Sequence, residues 1–195
     1  MQQIAVIGMS CLFPGAKNTS EFWQNLVQEN NSCTTATLSD LEANLENFLA
    51  EKKGTPDKFY CSQGGYIKEF LIDADGFLLS KDFIENLGEA FQWSLHVARE
   101  ALLDGGYLEK KEILKNCGVV LGNLSFPTKA SNHLILPFYK EILEPYLKKI
   151  LNYPDFSLTH FSSERKISDE NINISGRPAS LVAKGLGLSP YSFSI

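Results

Sequence analysis

Several features that would assign a function at once are missing from this sequence. No apolar run approaches the length of a membrane span, so no transmembrane helix is expected. Positive charge is not in excess: 18 Lys and Arg face 23 Asp and Glu, a net charge of −5. That balance argues against nucleic acid as a partner, because such partners select basic surfaces. The four cysteines, Cys11, Cys33, Cys61 and Cys117, form no C-x-x-C pair and no metal-ligand spacing with His96, His133 or His160. A reducing, cytoplasmic setting fits them best. Residues 1–16 contain an apolar stretch, but no positive charge precedes it and Pro14-Gly15 follow too soon for a secretion signal. Internal repeats and low-complexity segments are absent as well.

What remains is an ordinary globular composition, 44% hydrophobic and 21% charged over 195 residues, enough for one domain or a large part of one. The strongest local signals lie at the end of the chain. Pro178 suits a first helical turn, Leu181, Val182 and Leu186 give that helix an apolar face, and Gly185 and Gly187 are expected to end it in left-handed conformations. Pro190 prevents its resumption. Residues 191–195, Tyr-Ser-Phe-Ser-Ile, then alternate apolar and polar with the period of a strand. In α/β folds the chemistry usually sits past the carboxyl ends of strands. The chain stops at such a point, which suggests an interrupted sequence; an ordinary docked C-terminal strand is the plain alternative.

From the start of the chain, residues 4–10 read as a buried, central, parallel strand closed by Gly8. Thr19 or Ser20 is expected to cap a helix over residues 21–28 whose apolar side is Phe22, Trp23, Leu26 and Val27. A strand, a glycine turn and a helix raise the dinucleotide-binding reading, but Ser10 and Phe13 occupy positions where G-x-G-x-x-G needs glycine. Cys11 on that turn has no histidine nearby in sequence and reads as a small buried hydrophobe. Residues 38–50 suggest an amphipathic helix with Leu41, Leu45, Phe48 and Leu49 inside, residues 52–58 a surface loop, and Gly64-Gly65 the start of a hairpin strand. Asp73 and Asp75 lack the further ligands of a calcium loop and read as turn chemistry.

A long helix is expected over residues 86–104, with Leu87, Phe91, Leu95, Ala98 and Leu102 as its stripe, His96 and Arg99 on a solvated face, and Gly105-Gly106 at its end. Residues 117–123 read as a second buried strand. Residues 125–165 look like an insertion. It holds an amphipathic helix from Pro137 to about Leu151, interrupted at Pro145 and laid on the domain's own core; a membrane or partner surface is the other option for its apolar side.

These elements carry a recognisable set of motifs. Ile4-Ala5-Val6-Ile7-Gly8-Met9-Ser10-Cys11-Leu12-Phe13-Pro14-Gly15-Ala16 with Glu21-Phe22-Trp23-Gln24-Asn25-Leu26 resembles the start of a polyketide-type β-ketoacyl synthase. Gly64-Gly65-Tyr66, Ala98 to Tyr107, Gly118 to Gly122 and Ile174 to Leu188 with Tyr191 to Ile195 resemble later elements of that family in the right order. Gly122-Asn123-Leu124-Ser125-Phe126-Pro127-Thr128 and Trp93 resemble synthases of the polyunsaturated fatty acid and heterocyst-glycolipid kind. Leu87-Gly88-Glu89-Ala90-Phe91-Gln92-Trp93 stands where modular polyketide synthases carry a DPQQR-like sequence.

The resemblance implies an α/β, thiolase-like fold that is incomplete in this chain. Roughly the N-terminal half is present: a mixed sheet with flanking helices, one partial domain over 1–195, and insertions at about 30–85 and 125–165. It implies decarboxylative condensation through a nucleophilic cysteine expected just after Ile195, assisted by histidines of the second half. No catalytic residue, cofactor or metal site is therefore assigned within this chain. The partners implied are acyl carrier protein and either the remaining half of a synthase or a full synthase subunit. A dimer is implied in the complete enzyme, with a dimer-edge strand carrying Tyr191, Phe193 and Ile195. The readings in play are an inactive N-terminal segment of a condensing enzyme, a non-catalytic chain-length-factor-like or carrier-binding partner, and a nucleotide-binding α/β domain.

Overall fold

The computed structural model describes residues 3–124, 127–158 and 166–195. Ser125 and Phe126 of the motif above, His160 and the stretch 159–165 of the expected insertion lie outside the described residues. The chain divides into two compact units, Met1–Leu71 with Glu100–Gly106, and Ile72–Arg99 with Tyr107–Ile195.

In the first unit, the expected central strand at residues 4–10 does not form. The segment has no regular secondary structure and pairs with no strand among the described residues, and Ile4 is 96% exposed. An apolar, β-branched run becomes a central strand only where strands flank it on both sides, and none among the described residues does. The segment is tethered near its end: Met9 N donates to Asp104 Oδ2 at 2.8 Å. Gly8 makes that approach possible, because a Cβ there would sit 2.3 Å from the Ala101 carbonyl oxygen. Helix α1 (Thr19–Val27) is capped by Asn18, not by Thr19 or Ser20; Asn18 Oδ1 accepts from Glu21 N at 2.9 Å. None of its residues is buried, and Trp23, Leu26 and Val27 of its apolar side are exposed.

Strand β1 (Thr34–Thr35) pairs antiparallel with β2 (Gln63–Gly64), so Gly64 belongs to a ladder formed with a distant segment and not to a hairpin. Between them, the single helix expected at 38–50 is two short ones, α2 (Leu38–Leu41) and α3 (Leu45–Phe48). Polar caps outcompete helix continuity here. Asp40 Oδ2 accepts from Thr37 N at 2.7 Å, Glu42 turns left-handed, and Asn44 Oδ1 accepts from Glu46 N at 3.1 Å.

The second unit opens on the Asp73–Asp75 turn, where Asp75 N donates to Asp73 Oδ1 at 3.0 Å, as its turn chemistry predicts. Helix α4 (Lys81–Glu85) and α5 (Glu89–Asp104) follow, and the break between them at residues 86–88 is why the long helix starts later than its periodicity suggests. Gln92 holds that break: its buried Nε2 donates to Ile84 O and Leu87 O, both at 3.0 Å. Arg99 is not on a solvated face. Its Nη1 donates to Asp73 O at 2.8 Å and Asp75 O at 3.1 Å, and its guanidinium stacks 5.0 Å from the Phe77 ring centre. His96 is half-buried as well.

After α6 (Lys111–Leu114) comes β3 (Val119–Leu121), within the strand expected at 117–123 but not buried as expected, Val120 being 68% exposed because no further strand or helix among the described residues covers that face. Helix α7 (Lys129–Ile150) continues past Pro137 and Pro145, so the interruption expected at Pro145 does not occur. Both prolines are exposed, and each removes one N–H from the helix ladder. Only Ser131 of this helix is buried, and Phe138 is 66% exposed; the expectation that it lies on the domain's own core is not met. A 3₁₀ turn (Asp169–Ile172), α8 (Arg177–Leu186) and β4 (Ser192–Ser194) complete the chain. Ala179, Leu181, Val182 and Leu186 of α8 are buried, as are Ile84, Leu87, Phe91 and Leu95, and these residues form the unit's apolar interior. Gly187 caps α8 with φ +67°, whereas Gly185 is helical and ends nothing. Its missing side chain instead admits Leu95 and Leu79, whose methyl carbons would stand 3.0 and 3.2 Å from a Cβ.

Candidate functional site

The site suggested by the sequence is the carboxyl end of β4, and α8 is what positions it. Pro178 lies in the first turn of the helix and Gly187 ends it, after which Leu188 N donates to Ala183 O at 2.8 Å and Ser189 N to Cys117 O at 3.0 Å. Those bonds deliver the chain into β4 alongside β3. The two strands are parallel, with Val119 opposite Ser192, Val120 opposite Phe193 and Leu121 opposite Ser194. Gly118 lies close to this junction; a Cβ there would sit 3.2 Å from Tyr191 O. The ladder ends with Ile195 N donating to Leu121 O at 2.9 Å and Asn123 N donating to Ile195 O at 3.1 Å.

The strand presents two unlike faces. Ser192 and Ser194 are half-buried, while Tyr191, Phe193 and Ile195 are 72%, 59% and 81% exposed. The three apolar residues singled out from the sequence therefore share one open face of an edge strand. On the other face, Asn123 Nδ2 donates to Ile174 O at 2.7 Å and ties the end of β3 to the approach to α8. Asn123 Oδ1 and Ser194 Oγ are both buried. In the sequence Asn123 is one member of a motif, with no role of its own. The signal that could have found it is an amide side chain directly after the glycine that closes a strand.

No nucleophile or acid–base group gathers at this end of the strands among the described residues. Cys117 precedes β3 and is half-buried, and its Sγ donates to Ile113 O at 3.5 Å. In the first unit Cys11 is buried, which pushes its thiol up, the Glu21 charge adding to the effect; Cys33 and Cys61 are exposed. The reading of Cys11 as a structural residue fits that environment. Among the described residues no three His, Cys, Asp or Glu side chains come together as a metal site. The first unit also contains an apolar cleft of about 450 Å³ beside the Phe13–Phe22 ring pair, with Pro14, Leu26 and Cys33 in its wall.

Comparison with known proteins gives these elements a context. The family described as "Beta-ketoacyl synthase, N-terminal domain" matches residues 1–148. One polyunsaturated fatty acid synthase polypeptide of Thraustochytrium sp. is 35% identical over 62% of this chain and 4% of its own length. Polyketide synthase PksL of Bacillus subtilis is 32% identical over 63% of this chain and 3% of its own. The solved structure of the PfaC keto synthase–chain length factor is 42% identical and superposes with a TM-score of 0.87, covering 94% of this chain and 20% of that one. The chain thus spans a small fraction of the relatives it matches.

Proposed function

The chain belongs to the β-ketoacyl synthase family, and from that premise we propose that it works as the N-terminal segment of a condensing unit that elongates fatty acid or polyketide chains. The observation that carries this reading is the likeness to the PfaC keto synthase–chain length factor over 94% of the chain. The fold is the N-terminal part of a thiolase-like α/β fold.

In the proposed reaction a cysteine takes an acyl chain from a carrier-protein thioester. A malonyl-carrier unit then loses carbon dioxide, and the resulting carbanion attacks the acyl-enzyme. Dividing the step through a covalent intermediate lowers each barrier. The cysteine belongs to the segment that follows β4, so this chain alone carries out neither half-reaction. Its own residues supply the floor of the site. α8 packs on both β3 and β4, and its buried residues Leu181, Val182 and Leu186 belong to the unit's apolar interior. The exposed row Tyr191, Phe193 and Ile195 is the dimer edge of the assembled enzyme, and the carrier protein and the rest of the synthase are its partners. Four free cysteines suit a reducing, cytoplasmic setting.

A chain-length-factor-like, non-catalytic role is the second reading, favoured by the same relative, whose name couples a keto synthase to a chain length factor. One experiment separates the readings. The chain replaces the matched fifth of the PfaC keto synthase–chain length factor, and the chimera is assayed for acyl loading by intact mass and for decarboxylation of malonyl-carrier protein. A loading, decarboxylating chimera, together with no adduct on the isolated chain, is the expected result. Acylation of the isolated chain, or a folded chimera that never loads, overturns the first reading. A non-loading chimera that restores product length when added to an intact synthase establishes the second.

A further inference from the structure

The apolar cleft of the first unit has no part in the chemistry above, and its frame is tied together from within. Three segments make it: the turn at 13–16, the Phe22 and Leu26 side of α1, and the loop at 30–33. Asn25 joins all three. Its Nδ2 donates to Gly15 O at 2.8 Å, its carbonyl accepts from Asn30 N at 2.8 Å, and its Oδ1 accepts from Asn30 Nδ2 at 3.3 Å. Two glycines keep the walls close. A Cβ on Gly15 would sit 2.5 Å from Ser32 Oγ, and one on Gly65 3.0 Å from Pro14 Cγ. The cleft is therefore formed before anything enters it, and its volume of about 450 Å³ suits a small ligand.

The lining selects the occupant. No Asp, Glu, Lys, Arg or His side chain lines the cleft among the described residues, so an ion would enter without a counter-charge and lose hydration. The Phe13 and Phe22 rings, 4.9 Å apart and tilted by 59°, form an apolar wall suited to a flat apolar body. At the rim, existing hydrogen bonds fix which end of each amide is available. Asn31 Oδ1 accepts from Cys33 N at 2.9 Å, which leaves Asn31 Nδ2 a donor with no partner among the described residues. Asn30 Nδ2 donates to Asn25 Oδ1 and Gln28 Oε1, which leaves Asn30 Oδ1 an acceptor. One donor and one acceptor beside an apolar wall complement an uncharged amide carried on an aromatic body.

We propose that this cleft binds a small neutral aromatic amide. The ring lies against Phe22 and Leu26, the amide oxygen accepts from Asn31 Nδ2, and the amide N–H donates to Asn30 Oδ1. Cys33 stands in the wall, where its accessibility reports occupancy. The site lies wholly within the first unit and is independent of the condensation chemistry.

The test is protection of Cys33 from methyl methanethiosulfonate in the intact chain, read by peptide mass. Cys61, exposed and outside the cleft, is the internal control. The probe is phenylacetamide; phenylacetate and 2-phenylethylammonium present the same ring with a charge. Phenylacetamide at about four times its Kd is expected to slow Cys33 labelling about fivefold and to leave Cys61 unchanged. Each ion is expected to need about tenfold more for the same effect. Leu26→Trp fills the cleft from a side chain that is 54% exposed, so the fold is expected to survive and the protection to vanish. Asn31→Asp keeps the acceptor for Cys33 N but exchanges the rim donor for a negative charge. There the order is expected to invert, 2-phenylethylammonium protecting better than the amide. Any of four results overturns the proposal: no protection of Cys33 at any soluble concentration, equal slowing of Cys33 and Cys61, protection that persists in Leu26→Trp, or an order of probes unchanged by Asn31→Asp.

Discussion

Asn171 Oδ1 accepts the backbone N–H of Gly88 at 2.5 Å, across 83 residues of sequence. Asn171 is fully buried, and its Nδ2 donates to Ser168 O at 2.7 Å and to Asn86 O at 3.2 Å. One amide thus ties the 3₁₀ turn to the break between α4 and α5. Replacing it by alanine strands a donor and acceptors together, and we expect a loss of about 2–4 kcal/mol in urea unfolding. Asn171→Asp keeps an acceptor for Gly88 but turns an oxygen toward the Asn86 and Ser168 carbonyls, and is expected to lose at least as much. A loss well below about 1 kcal/mol in the alanine variant would show that the Asn171 bonds are not what holds the break.

Gly8 is the close-approach position of the first unit. With a Cβ only 2.3 Å from a backbone oxygen of α5, the clash in Gly8→Ala cannot be relieved by a side-chain rotation. The Ile4 to Ser10 segment is expected to lift away, giving faster amide exchange at Met9 and earlier proteolysis before Cys11. Asp104→Ala, which removes only the acceptor of Met9 N, should produce a smaller version of the same change.

Glu170 and Arg177 form a two-pronged pair, Nε to Oε2 and Nη2 to Oε1, both at 2.6 Å. The guanidinium's hydrogen bonds hold the Glu170 carboxyl below its usual range, burial opposing them in part. A depressed carboxyl means that the unfolded chain takes up the proton first. The pair's contribution is therefore complete above the unfolded value of about 4.3 and is lost as pH falls through the lower folded value. Glu170→Gln should flatten that acid limb of the stability curve, as read from urea midpoints between about pH 3 and 6. An unchanged limb would assign it to other carboxylates, such as Asp40 and Glu144, whose values are also lowered.

The open face of β4 predicts association. Tyr191, Phe193 and Ile195 line an edge that presents unpaired backbone groups beside apolar side chains, a combination prone to strand pairing. The chain is expected to self-associate in sedimentation velocity, and Phe193→Lys is expected to shift it toward monomer. Because Phe193 is largely exposed, its substitution should leave thermal stability nearly unchanged. Monomeric behaviour of the parent chain at high concentration would remove this edge as an interface.

Thiol labelling should follow burial. Cys33 and Cys61 are exposed and are expected to react first, half-buried Cys117 next, and Cys11 last, since burial both shields it and raises its thiol. Early labelling of Cys11 would contradict its place in the first unit's interior.

The sequence by itself determined the elements whose causes are local. Pro178, the Leu181–Val182–Leu186 spacing and Gly187 define α8 through torsion and periodicity within a dozen residues, and the Asp73–Asp75 turn needs only one side chain and a nearby amide. The ordered motifs that identify the family are local in the same sense. The end of the candidate site was legible too, as the alternation of residues 191–195, although not the fact that its apolar members face out. Tertiary structure decided whatever depends on distant neighbours. Residues 4–10 have strand composition and no strand, because pairing requires flanking ladders. Arg99 turned inward because carbonyls 24 and 26 residues away accept from it. Gly185 is a contact and not a cap because Leu95 and Leu79 occupy the space of its side chain. Asn123 acquires its place from Ile174, 51 residues on. Backbone torsions and caps act within a turn or two and can be read along the chain; burial and pairing are settled only when separated segments meet.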